Sequence, residues 1–196
     1  MIHCHCEPLE RLLPELPPLL QAHWDESEAA LFGPQVYALD TERYACWERL
    51  GMLHVVTARD SSGSLQGYAA FTLTDCPHRP GKRLAALDGL YLAPTARKGL
   101  AVLKLLRAAE AGLRERGADV VQYSSPASRP CDALYRRLGA RHTESVWHKE
   151  LRGPAGGRRD PCQHRRGHLE CREPSGRAAQ AGGILRRHGP AQCADR

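Results

Sequence analysis

The residues with the clearest chemical potential lie together in the run Ala96-Arg97-Lys98-Gly99-Leu100-Ala101. The run sits between an apolar stretch that ends at Leu92 and an amphipathic stretch that begins near Gly99. A helix starting here presents backbone N–H groups without intrahelical partners and about half a positive charge from its macrodipole. Gly99 clears a side chain from the approach, and Arg97 and Lys98 add full charges. Such a turn suits phosphate or pyrophosphate, although the same residues also make an ordinary solvated turn. Neither a GxxxxGKS/T loop nor a GxGxxG fingerprint is present. Asp88 lies inside the apolar stretch, where an unpaired carboxylate is costly. It is there either for a structural hydrogen bond or for function.

Positioning these residues requires a strand before the turn and a helix after it, and the sequence supplies both. Residues 83–92 read as a central strand, apolar along most of its length and so covered on both faces. Residues 99–116 read as a helix with an apolar face of Val102, Leu106, Ala109 and Leu113, stopped by Gly117. Residues 118–125 predict a buried strand, 130–140 a short helix ending at Gly139, and 142–151 a last strand of alternating pattern. Upstream, residues 2–6 alternate as a short first strand. Residues 9–24 have helical spacing broken by Pro14, Pro17 and Pro18, which predicts two short helices. Asp40 or Thr41 caps a helix that stops at Gly51. Residues 52–60 and 64–75 predict a hairpin around a Gly-containing turn. The order implies an α/β domain with an early antiparallel sheet and a parallel crossover in the middle.

Composition divides the 196-residue chain. Residues 153–196 hold nine Arg and four acids, a net charge of +5 out of +6, leaving +1 for the rest. That segment has no aromatic residue and no Lys, and its large aliphatics are Leu169, Ile184 and Leu185. It cannot bury enough apolar surface to offset chain ordering, so residues 153–196 are expected to be a disordered Arg/Gly/Pro-rich tail and residues 1–152 the folded domain. The nearly neutral body carries no nucleic-acid footprint. No apolar run is long enough to span a membrane, and the N-terminus lacks a secretory pattern, so a cytoplasmic protein is expected. The eight cysteines then read as reduced thiols.

Residues 84–150 resemble the acetyl-CoA motif region of the GNAT superfamily of N-acetyltransferases. The family turn, Q/R-x-x-G-x-G/A, is matched by Ala96–Ala101, with Ala101 at the second small position and Ala96 in place of Gln or Arg. Ala133–Arg141, "ALYRRLGAR", is similar to the family segment in which a helix carries a Tyr and ends in Gly. The resemblance implies a mixed, mostly antiparallel twisted sheet, flanked by helices, whose central parallel strands splay apart around acetyl-CoA. Backbone groups at Leu90, Tyr91 and Leu92 would bond the pantetheine arm. The turn Arg97, Lys98, Gly99, Leu100, Ala101 and Val102 would hold the pyrophosphate. The implied activity is acetyl transfer from acetyl-CoA to a primary amine by direct attack in a ternary complex, without a metal. Asp88 would be the base and Tyr135 the donor to the leaving thiolate. By residue chemistry alone, the acidic and aromatic stretch His23, Trp24, Asp25, Glu26 and Glu28 could receive a cationic amine or simply form a solvated helix end, and His78 in the loop DCPHRPGKR could border the acceptor. The partners expected are a small-molecule or peptide amine and, in assembly, a homodimer, with neither membrane nor specific nucleic acid.

Other readings remain beside this one. A degenerate relative would bind an acyl-CoA without catalysis. Cys162, His164, His168 and Cys171 could form a zinc site, and the Arg-rich tail could touch nucleic-acid phosphates. The cluster His3, Cys4, His5 and Cys6 alternates faces as a strand and cannot converge on one ion.

Overall fold

The computed structural model describes residues 2–149 and 151. Its first compact unit spans Met1–Glu144 and contains every helix and strand described here; a second unit begins at Ser145. The five-stranded sheet has the order β1-β2-β3-β4-β5, with β1 His3–Cys6, β2 Leu53–Arg59, β3 Leu65–Asp75, β4 Arg83–Leu92 and β5 Val120–Gln122. The first four strands pair antiparallel, and β4 pairs parallel with β5. A parallel neighbour needs a crossover, supplied here by α5, Ala101–Glu115.

Helices cover both faces of the sheet, as the apolar β4 requires. On one face Phe71, Ala85 and Leu92 pack with Leu105, Leu106, Ala109 and Leu113 of α5 and with Tyr135 of α6, Asp132–Arg137. On the other, Val55, Tyr68, Ala70 and Tyr91 pack with Leu9, Leu12 and Leu16. The latter leucines belong to α1, Leu9–Leu12, and α2, Leu16–His23. Pro17 and Pro18 fall in the first turn of α2, where no intrahelical donor is lost. α2 runs into a π-helical turn, Trp24–Glu28, and then α3, Ala29–Phe32. In α4, Thr41–Arg49, the Asp40 side chain accepts the Arg43 N–H and caps the helix.

Two expectations are corrected. β5 holds only three residues and is half-buried, because its pairing with β4 stops early and one flank stays open. Residues 142–149 and 151 form no strand. Alternation yields a strand only where a ladder partner and a covered face exist, and no described strand pairs with them; Val146 is 71% and Trp147 91% exposed. The expected tail, residues 153–196 with its Cys/His cluster, lies outside the described residues.

Candidate functional site

The site starts where β4 and β5 part. Their register is Leu84↔Val120, Ala85↔Val121 and Ala86↔Gln122, after which β4 continues to Leu92 without β5 beside it. The Ala93 N–H bonds the Gln66 carbonyl on the β3 side at 2.7 Å. By strand alternation, the backbone groups of Leu92 and Leu90 point to the opposite edge, into the gap. A cavity of about 250 Å³ occupies this wedge. β4 from Leu87 to Leu92 forms one wall and Ser124 and Pro126 the other, with Gly99, Val102 and Tyr135 on the α5 side and His23 on the α2 side.

A β-bulge aims Asp88. Ala70 faces Gly89 and Phe71 faces Leu87, so Asp88 is the extra residue of β4. Leu87 and Leu90 both pack on the α5 face, whereas Asp88 reaches Tyr44 of α4, whose hydroxyl donates to Oδ2 at 2.5 Å. Burial and the Asp88 carboxylate together push the Tyr44 hydroxyl well above its ordinary pKa, so Tyr44 remains a donor. Asp88 is therefore exposed to the cavity rather than enclosed in the strand. On the same face His23 Nδ1 lies 2.8 Å from the Tyr68 hydroxyl, and the His23 ring stacks on Tyr91 at 5.5 Å. Burial holds the His23 pKa below its usual value, so the imidazole is neutral at pH 7.

The turn into α5 has the expected backbone but a different use of its arginine. Gly99 takes φ +58°, with open space where a Cβ would stand. Leu100 occupies the cap position and no side chain caps the helix, so the first-turn N–H groups have no side-chain acceptor. Arg97, expected to add a free charge, is tied down. Its Nε donates to the Leu92 carbonyl at 2.5 Å and its Nη2 to Glu26 Oε2 at 2.8 Å. The Leu92 carbonyl is thus occupied by a guanidinium.

Of the residues singled out from sequence, Asp88, Leu90, Tyr91, Leu92, Arg97, Gly99, Val102 and Tyr135 come together around the wedge. Lys98, Leu100 and Ala101 line a separate hollow of about 430 Å³ that also includes Lys104. Glu26 is held by Tyr91, Arg97 and Arg129. Trp24 does not line the cavity. Its indole N–H donates to the Gly33 carbonyl at 3.1 Å, and its ring packs on Tyr37 and Phe32. His78 is exposed in the loop before Arg83, at the far end of β4 from Leu90, because that loop closes on itself through Cys76 and Lys82. Tyr44 and Arg129 were not singled out. His23 belongs to the acidic and aromatic stretch that includes Trp24 and Glu26, and it does line the cavity, but no spacing marks Tyr44 or Arg129.

Tyr135 stands on the α5 side, 7% exposed, with its ring stacked on Tyr123 at a centroid distance of 4.7 Å. Its hydroxyl donates to the Ser124 carbonyl at 2.7 Å, just past the end of β5. Burial, and then the neighbouring Cys131, raise its pKa.

No family model and no curated protein matches the sequence. Solved structures do match its fold. A ribosomal-protein-alanine N-acetyltransferase from Brucella melitensis superposes with a TM-score of 0.57 at 18% identity, over 76% of this chain and 99% of that one. A glucosamine-6-phosphate N-acetyltransferase from Arabidopsis thaliana gives 0.60 at 9% identity, over 78% and 99%. An acetyltransferase from Trypanosoma brucei gives 0.54 at 15% identity, over 77% and 100%. The fold is that of the GNAT acetyltransferases. Within this GNAT fold the parted strands and the uncapped helix start are both present. Among the described residues there is no group of three or more His, Cys, Asp or Glu placed to hold a metal, the His3–Cys6 run included. Nor is any described helix long and apolar enough to cross a membrane.

Proposed function

We propose that the chain is an N-acetyltransferase that moves an acetyl group from acetyl-CoA to a primary amine by direct attack in a ternary complex. The observation that carries this reading is the separation of β4 from β5 after Ala86 and Gln122, beside an uncapped helix start. The wedge suits a slender chain with a charged end. Leu90 offers a free backbone edge, and the turn at Gly99 leaves room for an anion at the N–H groups of α5. When bound, acetyl-CoA supplies a thioester carbonyl as the electrophile.

The chain's own groups would handle the protons. An alkylamine of pKa about 10 must lose its proton first, at a cost of about 4 kcal/mol at pH 7. Asp88 accepts that proton at Oδ1, while Tyr44 holds Oδ2 and so fixes the carboxylate. Tyr135 then turns its hydroxyl from the Ser124 carbonyl toward the leaving sulfur. Asp88 and Tyr135 belong to opposite faces of the sheet and meet only through the wedge. Acceptor and cosubstrate would accordingly enter from different sides.

Calorimetry with coenzyme A, followed by thiol release from acetyl-CoA against a panel of primary amines, tests the proposal. Binding together with amine-dependent release is expected. Binding without release would make the chain an acyl-CoA-binding relative. Absence of binding would remove the proposal altogether.

A further inference from the structure

Arg97 follows β4 and Arg129 follows β5, so the two guanidinium groups approach the wedge from its two walls. Both donate to Glu26 Oε2, Arg97 at 2.8 Å. The Tyr91 hydroxyl donates to Glu26 Oε1 at 2.9 Å. Beside them the Ser128 hydroxyl donates to the Ser27 carbonyl at 2.6 Å. One carboxylate on the π-helical turn therefore straps the segment after β4 to the segment after β5. Two guanidiniums against one carboxylate leave a net positive charge at this end of the cavity. Burial alone would raise the Glu26 pKa, but hydrogen bonds from Arg97, Arg129 and Tyr91 outweigh it and hold the group ionised at pH 7.

We infer that Arg97 and Arg129 form a phosphate-binding pair whose resting counter-ion is Glu26, so that Glu26 is an internal competitor for a diphosphate. The inference rests on the acetyl-CoA reading above and assigns Arg129 and Glu26 to the regulation of that same site. A guanidinium fork fits phosphate as well as carboxylate, so the exchange keeps both arginines paired while it frees the turn bearing Glu26. As long as the strap is closed, only the fraction of molecules that have released Glu26 can take the diphosphate, and the apparent affinity falls by that fraction.

Titration calorimetry on the full chain tests this with three probes: coenzyme A, inorganic pyrophosphate and pantetheine. Glu26→Gln keeps an acceptor for Tyr91 and removes the charge. It is expected to tighten coenzyme A and pyrophosphate about three- to tenfold and to leave pantetheine unchanged. Arg129→Ala is expected to weaken both phosphate probes and to abolish the gain from Glu26→Gln in the double variant. A purely structural Glu26 would give equal or weaker coenzyme A binding in Glu26→Gln, and that result overturns the inference, as does an equal gain for pantetheine. If the native chain binds coenzyme A and the variant binds no tighter, this inference alone fails. If neither binds, the acetyl-CoA reading fails with it.

Discussion

The Tyr44 hydroxyl lies 2.5 Å from Asp88 Oδ2, across 44 positions of sequence. The contact exists because Asp88 is the unmatched residue between Leu87 and Gly89 opposite Phe71 and Ala70. Without the bulge, strict alternation would place position 88 opposite a β3 residue and tie its direction to the pleat. One extra residue frees the carboxylate from the strand's ladder, and one tyrosine from another helix fixes where it points. A group that must receive a proton needs both an open side and a fixed orientation.

Asp88→Asn is expected to lower turnover by about a hundredfold or more, in the range of a lost general base. Coenzyme A binding should stay within about a factor of two. Tyr44→Phe should cost less, because the carboxylate survives but loses its orientation. Steady-state kinetics with an amine that is accepted by the native chain measure both. Equal losses in turnover and in coenzyme A affinity for Asp88→Asn would move Asp88 out of the chemistry.

Tyr135→Phe separates structure from chemistry at the other end of the wedge. The hydroxyl's bond to the Ser124 carbonyl contributes about 1 kcal/mol to folding. The ring keeps its stack on Tyr123 in the variant. A stability loss of roughly 1 kcal/mol in urea melts is expected. Turnover should fall far more than acetyl-CoA binding. A variant that melts lower but turns over normally would leave Tyr135 with packing alone.

Much of this arrangement was legible along the chain. The spacing of Leu106, Ala109 and Leu113 marked α5, and the Gly-containing turn between residues 60 and 64 marked the β2–β3 hairpin, because both signals are local periodicities. The uniform apolarity of residues 83–92 marked a central strand but could not show which residue lacks a partner. Pairing register is a property of two strands, and only the β3 partner reveals the bulge at Asp88. Arg97 illustrates the same limit. Its charge was evident, yet its partner Glu26 lies 71 positions away, and no periodicity encodes that contact. The alternation at residues 142–151 misled for the converse reason: a pattern suited to a strand found no described neighbour to pair with.

Stability should carry a pH signature from His54. The ring is 2% exposed, with Nδ1 3.8 Å from Cys6 Sγ and Nε2 unpartnered. Burial, and then the Arg116 charge, push its pKa down to about 4. The unfolded chain binds a proton at this residue near pH 6.5, so stability is independent of His54 above that pH. It falls as pH drops from about 6.5 toward about 4, and the loss levels off at roughly 3 kcal/mol. The Glu7 carboxylate, whose pKa is lowered mainly by Arg59, sheds its own contribution only at more acid pH. Urea unfolding between pH 6.5 and 5 therefore reads His54 together with His23, whose pKa burial also lowers, and the variant separates the two. His54→Leu should flatten the slope in that window, and an unchanged slope would assign it to another group.

The same histidine explains a glycine in the last turn of α5. A Cβ at Gly112 would stand 2.7 Å from His54 Cε1 and 2.8 Å from Nε2, inside contact distance of an enclosed ring. Alanine in a helix interior is favoured over glycine by about 1 kcal/mol. Overpacking a closed site costs about 1–3 kcal/mol, so the steric term is expected to win. Gly112→Ala should destabilise the native chain by up to about 2 kcal/mol, the difference between these effects. In a His54→Ala background the ring is gone, and the same substitution should stabilise by up to about 1 kcal/mol. A double-mutant cycle from urea melts at pH 7.5, where His54 is neutral in both states, reads the coupling directly. A native-background Gly112→Ala that melts higher would show that the ring yields, and that α5 tolerates a methyl group facing β2.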